Sequence, residues 1–290
     1  MDEYQKEEIK LGIEHGVDIQ VYNNPNFWFN EMRLIREGLE EGLDVSKYAK
    51  EYFEYNQMFE IKSGLEYGLD VSVYAKKCFD HRSMTAIKLG LLQKTDPTLY
   101  ANPELGPAQI KEIWYGLMDG IDASIYAKPE FNEYQMCQIR YGLMNGIDVS
   151  KYSNTQYNHL QMQQLRWGIE EGLDISLYLD PSFNDDQMFI IRMGLLDGLD
   201  VSSFAIPKYN YKQMEEIVIG LKEQIDIYAY ARTEYNHLQM REIRWGLKQN
   251  VDISLFSDPS LTWLEMDKIR LDILRKRNEV QNKDNNSEKI

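Results

Sequence analysis

Glycine recurs every 26 residues, and this period constrains the fold more than any other feature of the chain. Ten glycines share the register, from Gly12 to Gly246. Ile or Leu stands three residues before each of them, Met stands six before most, and Leu or Ile follows each. Positions −6, −3 and +1, counted from the glycine, lie on one face of an α-helix. The period therefore predicts helical units that stack, because one unit alone has too little apolar surface to be stable.

Each unit carries the signals of two helices. In most units an Asp or Asn at −10 and a Gln at −7 form a capping box, and a second glycine at +4 is typical of a left-handed C-cap. An Asp stands at +6 in all ten units and precedes Pro97 in one, so it is expected to cap a second, shorter helix. Tyr or Phe at +10 and an apolar residue at +15 are expected to fill the space between layers. The sequence thus predicts an all-α fold, an α/α solenoid of ten 26-residue helix–turn–short-helix repeats.

The repeats predict a single solenoid domain that spans residues 2–277. Both of its ends are more polar than its interior. Lys6 stands where other units have Met, and Asp272 replaces the glycine in a last helix that continues as Arg275-Lys276-Arg277. Residues 278–290 are polar and are expected to form a disordered tail.

The charge of the chain restricts its partners. It has 47 acidic and 32 basic residues, a net charge of −15, which disfavours direct binding to nucleic-acid phosphates. It favours another protein with a basic or mixed apolar and basic surface. No run approaches the roughly 18 apolar residues of a membrane span, so no membrane partner is expected. Cys78 and Cys137 lack the spacing of a disulfide scaffold or a zinc site, and the expected compartment is the cytoplasm.

The segment 131–150, FNEYQMCQIRYGLMNGIDVS, carries the motif Q-M-x-x-I-R-x-G-L-x-x-G-L-D-V-S-x-Y-A in most of its length. This motif resembles 26-residue α-helical repeats in uncharacterised proteins of Firmicutes, their mobile elements and their phages. The resemblance covers nearly the whole chain. It implies a helical repeat fold and no particular activity or catalytic residues.

The Asp residues at +6 have two interpretations. Ten carboxylates in register could hold metal ions or imitate nucleic-acid phosphates. As caps they would instead accept hydrogen bonds from the backbone of the second helix. One carboxylate per layer of roughly 8–10 Å is too sparse to copy phosphates spaced about 3.4 Å apart, so capping is the favoured interpretation.

Two further recurring positions have structural interpretations. The basic residue at −2 is expected to pair with acids of adjacent units, with an anion-binding row as the alternative. The glycine in mid-helix costs about 1 kcal/mol relative to Ala. A close approach between helices is expected to compensate for this cost, with a ligand niche as the alternative.

The sequence does not predict an enzyme. Its four histidines share no helical turn with each other or with a cysteine, and the recurring acids serve every repeat alike. Catalysis needs a local and asymmetric set of groups. No catalytic residue, metal site or cofactor is therefore expected.

The position at −1 is the candidate site. It lies opposite the −6/−3/+1 face and is polar in the second and third units, as Glu37 and Ser63, but apolar from the fourth onward. Aromatic residues and Met are enriched in interface cores, and residues at +2 and +3 would add an acidic rim. The alternative is that curvature or a third layer buries this row. The predicted partner-binding residues are Tyr115, Tyr141, Trp167, Met193, Ile219 and Trp245.

These patterns favour a non-catalytic scaffold that binds another protein. The alternative is an acidic inhibitor from a phage or mobile element that occludes a basic, nucleic-acid-binding host defence protein. Salt dependence of binding and competition with nucleic acid would separate the two hypotheses.

Overall fold

The computed structural model describes residues 1–287, with side chains through residue 280. Eleven α-helices and ten 3-10 turns alternate along these residues, none of which lies in a strand. The α-helices are α1 (Glu3–Glu14), α2 (Phe29–Glu40), α3 (Tyr55–Glu66), α4 (His81–Leu92), α5 (Pro107–Met118), α6 (Glu133–Met144), α7 (His159–Glu170), α8 (Asp185–Leu196), α9 (Tyr211–Lys222), α10 (His237–Lys248) and α11 (Trp263–Ser287). The 3-10 turns are Ile19–Val21, Val45–Lys47, Val71–Val73, Pro97–Leu99, Ala123–Ile125, Val149–Lys151, Ile175–Leu177, Val201–Ser203, Ile227–Ala229 and Ile253–Leu255.

The chain divides into two compact units, Met1–Thr155 and a second that begins at Gln156. In the first unit α1 to α6 each pack on the next helix in sequence order, and in the second unit α7 to α11 do the same. This is the architecture of an α-solenoid, so the predicted all-α repeat fold is confirmed. The prediction of a single domain over residues 2–277 stays a prediction.

The first helix of every repeat has the predicted length and caps. Helices α1 to α10 are 12 residues long, a little over three turns. At the start of α6, Asn132 Oδ1 accepts from the backbone N–H of Gln135, whose Oε1 accepts from the backbone N–H of Asn132. The glycine at +4 has a φ of 69–74° in all seven repeats that contain it, as a left-handed C-cap requires.

The second element of each repeat is a single 3-10 turn and not a longer helix. Only three residues separate its Asp cap from the aromatic residue that ends it, which is too short for an α-helix. The Asp caps as predicted: Asp148 Oδ1 accepts from the backbone N–H of Ser150 at 3.0 Å, and all ten aspartates make the corresponding bond. The aspartate ladder is therefore part of the turn.

The mid-helix glycine makes room for an aromatic ring, not for a neighbouring helix as expected from the sequence. The ring at +10 is wholly buried, and its hydroxyl lies against the glycine of its own repeat. A Cβ on Gly38 would lie 1.9 Å from Tyr48 Oη, which donates to the backbone carbonyl of Leu34 at 3.1 Å. The glycine is thus needed wherever this tyrosine occupies the core.

The glutamine of the capping box also ties the start of its helix to the segment that leads into the next helix. Gln187 Oε1 accepts from the N-cap of α8, while its Nε2 donates to the carbonyls of Pro207 and Tyr209, just before α9. The same amide bond to the residue at +15 occurs in at least seven repeats. The capping pattern alone does not reveal this bond.

Helix α11 is longer than the others and reaches Ser287. It covers most of the segment for which the composition predicts a disordered tail. No Pro or Gly interrupts residues 263–287, and the segment contains helix-favouring Leu, Glu, Lys and Arg. Residues 288–290 of the predicted tail lie outside the described residues.

Candidate partner-binding surface

A buried cation at −2 joins most helices to the one before them, whereas α5 and α9 carry Trp114 and Val218 there. Arg244 contacts Glu216 at 3.0 Å and Glu223 at 2.7 Å, two residues of the preceding helix α9 and its C-cap. These acids stand at −4 and +3 of their own repeat, and an acid at one of these offsets pairs with every member of the following set. The set comprises Arg36, Lys62, Lys88, Arg140, Arg192, Arg244 and Arg270. The expectation that the −2 cations pair with acids of adjacent units is confirmed for them.

In the first unit, Arg140 lies between two rings of the predicted row. Its guanidinium carbon is 5.7 Å from the ring centre of Tyr115 and 4.8 Å from that of Tyr141. Its Nε donates to Glu112 at 2.9 Å. Burial lowers the pKa of Arg140, but the hydrogen bond to Glu112 and the charges of the surrounding groups together outweigh it and keep the pKa above its ordinary value. The guanidinium therefore stays charged beneath the two rings.

The same arrangement occurs within the second unit. The guanidinium carbon of Arg192 lies 5.1 Å from the ring centre of Trp167, and that of Arg270 lies 5.2 Å from Trp245. Arg241 approaches Trp245 from another side at 4.9 Å. Both tryptophans are half-buried, and their rings lie against buried guanidinium groups.

The residue at −1 correlates with the cation of the next repeat. Wherever a repeat has Arg at −2, the repeat before it has an apolar or aromatic residue at −1. The repeats before Lys62 and Lys88 instead have Glu37 and Ser63 at −1. A guanidinium stacks well on apolar faces, while an ammonium prefers polar neighbours. Lys88 Nζ accordingly donates to Ser63 Oγ at 3.0 Å. This correlation accounts for the change along the row, so composition alone does not identify a binding surface there.

Exposure separates the six predicted residues into two groups. Tyr115 and Tyr141 are each 41% exposed and Ile219 is 37% exposed. Trp167, Met193 and Trp245 are half-buried. The structure brings Tyr115 and Tyr141 together around Arg140.

Three residues beside Tyr115 and Tyr141 are more exposed than the predicted row. Met118 at the end of α5 is 49% exposed, and on α6 Tyr134 is 58% and Met144 is 50% exposed. Positions −8 and +2 fall on the same helical face as −1. The sequence already predicts the +2 residues beside the row, whereas Tyr134 at −8 is the residue that sequence reasoning missed. We call the following five residues the α5–α6 patch: Tyr115, Met118, Tyr134, Tyr141 and Met144.

Acidic residues border the α5–α6 patch. Met144 lines an open groove with Ile121, Leu143 and two acids, Asp119 and Asp122. Arg140 Nη1 contacts Asp119 at 3.4 Å and lies 3.5 Å from Met144 Sδ. Hydrogen bonds to the Ser124 hydroxyl and backbone lower the pKa of Asp122, so that carboxylate stays ionised at neutral pH.

The described part of the chain gives no structural support for a metal site or a membrane-spanning helix. No group of three His, Cys, Asp or Glu side chains there could hold a metal ion. No helix among residues 1–287 is both long and apolar enough to cross a membrane. Cys78 and Cys137 are free thiols.

Known proteins offer no further guide to the site. No protein-family model, curated protein or solved structure matches this chain. The resemblance to repeat proteins of Firmicutes and their phages therefore stays a prediction.

Proposed function

We propose that this protein is a non-catalytic scaffold that binds another protein through the α5–α6 patch. The observation that carries the proposal is the exposure of five large apolar side chains on two packed helices, each at least 41% exposed. Exposed clusters of this kind mark interaction sites in soluble proteins, and Tyr and Met are enriched in interface cores.

The rigidity of the repeat supports the same function. Tyr115 and Tyr141 are held against a buried, charged Arg140, so their rings lose little conformational freedom on binding. Asp119 and Asp122 lie beside the patch. The partner is therefore a protein whose surface combines apolar side chains with basic ones, and we place the encounter in the cytoplasm.

A second function is favoured by the net charge of −15. An acidic array could occlude a basic, nucleic-acid-binding protein, as an inhibitor from a phage or mobile element would. Attraction between net charges is screened by salt, whereas burial of apolar side chains is not. Steep loss of binding with added salt, together with displacement by nucleic acid, would favour this inhibitor.

A comparative pull-down from bacterial extract tests the scaffold. The baits are the wild type, Met118→Ala/Tyr134→Ala, and Phe59→Ala/Tyr67→Ala as a control that removes two exposed aromatic rings from the region of α3. We expect mass spectrometry to detect a protein that the wild type and the control retain and the patch variant loses. Equal recovery by all three baits, with circular dichroism showing that each is folded, would contradict the proposal.

A further inference from the structure

Consecutive helices are matched by a charge rule. The cation at −2 of one helix meets residues at −4 and +3 of the helix before it, as Arg140 meets Glu112 and Asp119. At α5, where the cation is missing, the acids are missing too. Helix α5 has Trp114 at −2, and the preceding helix α4 and its C-cap have Ala86 at −4 and Gln93 at +3, neither of which is acidic. Within each unit, wherever the later helix of a packed pair carries this cation, the cation faces at least one acid of the earlier helix or its C-cap.

Helix α11 does not follow this rule, because the positions that would face a further helix carry basic residues. Its −4 and +3 residues are Lys268 and Arg275, both exposed cations where preceding helices carry acidic or uncharged residues. Ile269, at −3, is half-buried, although its counterparts in α2 to α10 are wholly buried. This face of α11 therefore has apolar surface on which another helix could pack, but its positive charge would repel the −2 cation of a further repeat.

Helix α1 has a matching face. Lys10 at −2 is exposed and contacts only Glu7 and Glu14 of its own helix, each at 3.9 Å. Lys6 stands at −6, where Met is wholly buried in other repeats, and Ile13 is 63% exposed. A second copy stacked on α11 in the register of the array would set Lys10 against Lys268 and Arg275 and would bury Lys6.

We propose that these like charges prevent copies of this chain from stacking end to end. A repeat array whose last layer accepts its own first layer forms a head-to-tail contact, which assembles copies into rings or open filaments. Burial of an unpaired ammonium is costly, and three cations at one contact repel. The partner that these end faces exclude is a second copy of the chain.

Charge reversal tests this inference. In the variant Lys6→Met/Lys268→Glu/Arg275→Glu the end faces regain the consensus of the interior, so we expect concentration-dependent assembly in sedimentation velocity. The control Lys76→Glu/Lys128→Glu makes two changes of the same kind at exposed positions outside helices α1 and α11. We expect the control and the wild type to sediment identically.

A second reversal identifies the contact. Adding Lys10→Glu to the assembling variant would set acid against acid, and we expect it to restore the sedimentation of the wild type. If the folded triple variant sediments like the control, the inference is wrong. It is also wrong if the wild type forms chains that the substitutions at 268 and 275 do not lengthen.

Discussion

At the scale of single residues, most repeats are built around a close contact between a tyrosine hydroxyl and a glycine. The ring at +10 is wholly buried, and in most repeats it is a tyrosine whose hydroxyl donates to a carbonyl of the preceding α-helix, at 3.1 Å for Tyr48. In the repeats with Phe204 and Phe256, the nearest ring carbon would lie 3.2 Å from a Cβ on Gly194 and 2.6 Å from a Cβ on Gly246. The ring alone therefore leaves little room at the glycine, and the tyrosine hydroxyl excludes a side chain there further.

A double-mutant cycle at this contact tests that explanation. Gly38→Ala should lower the free energy of unfolding by about 1–3 kcal/mol through overpacking. Tyr48→Phe should cost about 1 kcal/mol for the lost hydrogen bond. In the Tyr48→Phe background Gly38→Ala should cost less than it does alone, because the atom 1.9 Å from the new Cβ is gone. Urea unfolding that gives strictly additive costs would contradict this account.

Glu31 is a second residue with a testable role. It occupies the position of the bridging glutamine and is buried, but its carboxylate can only accept, here from the Trp28 backbone N–H at 2.9 Å. Burial raises the pKa of Glu31 above its ordinary value. Because the folded-state pKa is raised, the ionised group destabilises the protein as pH rises through that pKa, and protonation at lower pH relieves the cost.

Glu31→Gln should therefore stabilise the protein by about 1 kcal/mol at neutral pH and by less at acidic pH. Gln57→Glu in α3, which breaks the bond from Gln57 Nε2 to the Phe79 carbonyl, is the reciprocal control and should destabilise most at neutral pH. Thermal unfolding from pH 4 to 8 measures both effects. If the stabilisation by Glu31→Gln instead increases toward acidic pH, ionised Glu31 does not destabilise the folded protein and the explanation is wrong.

At the scale of elements, helix positions could be predicted from sequence and helix contacts could not. Caps and apolar spacing are local, so the 12-residue helices and their left-handed C-caps follow from each repeat alone. The bond of Gln187 to the segment before the next helix and the position of Arg140 near two rings depend on how consecutive layers are aligned. The sequence did contain a signal for the contact between Arg140 and the rings, because the −1 residue of one repeat correlates with the −2 cation of the next.

Exchange of the two cation types tests this pairing of elements. Arg140→Lys should lower the free energy of unfolding by about 1–2 kcal/mol, because Lys neither stacks on two rings nor forms the forked contact to Glu112 and Asp119. Lys88→Arg, beside Ser63, meets no ring at −1 and should change stability by less than about 0.5 kcal/mol. Similar losses for both variants in guanidinium unfolding would show that the rings do not discriminate between cations.

At the scale of the whole molecule, the exposed site was only partly predictable. The sequence places Tyr115 and Tyr141 on the outer face of helices α5 and α6, where the structure exposes them, whereas Trp167 and Trp245 at the same offset are half-buried. Tyr134 and Met118, both more exposed, lie at offsets that vary too much among repeats to form a row. Exposure depends on which neighbours cover a residue, and the period alone does not specify them.

The most direct test of the central claim measures affinity and stability together for one pair of variants. The protein recovered in the pull-down is titrated by calorimetry with the wild type, Met118→Ala/Tyr134→Ala and Phe59→Ala/Tyr67→Ala. We predict that the patch variant raises Kd by roughly 30-fold or more, as loss of about 2 kcal/mol at an interface centre requires, with Tm unchanged. The control should keep the wild-type Kd. An unchanged Kd for the patch variant, or a loss of affinity that follows a fall in Tm, would contradict the assignment of this surface as the binding site.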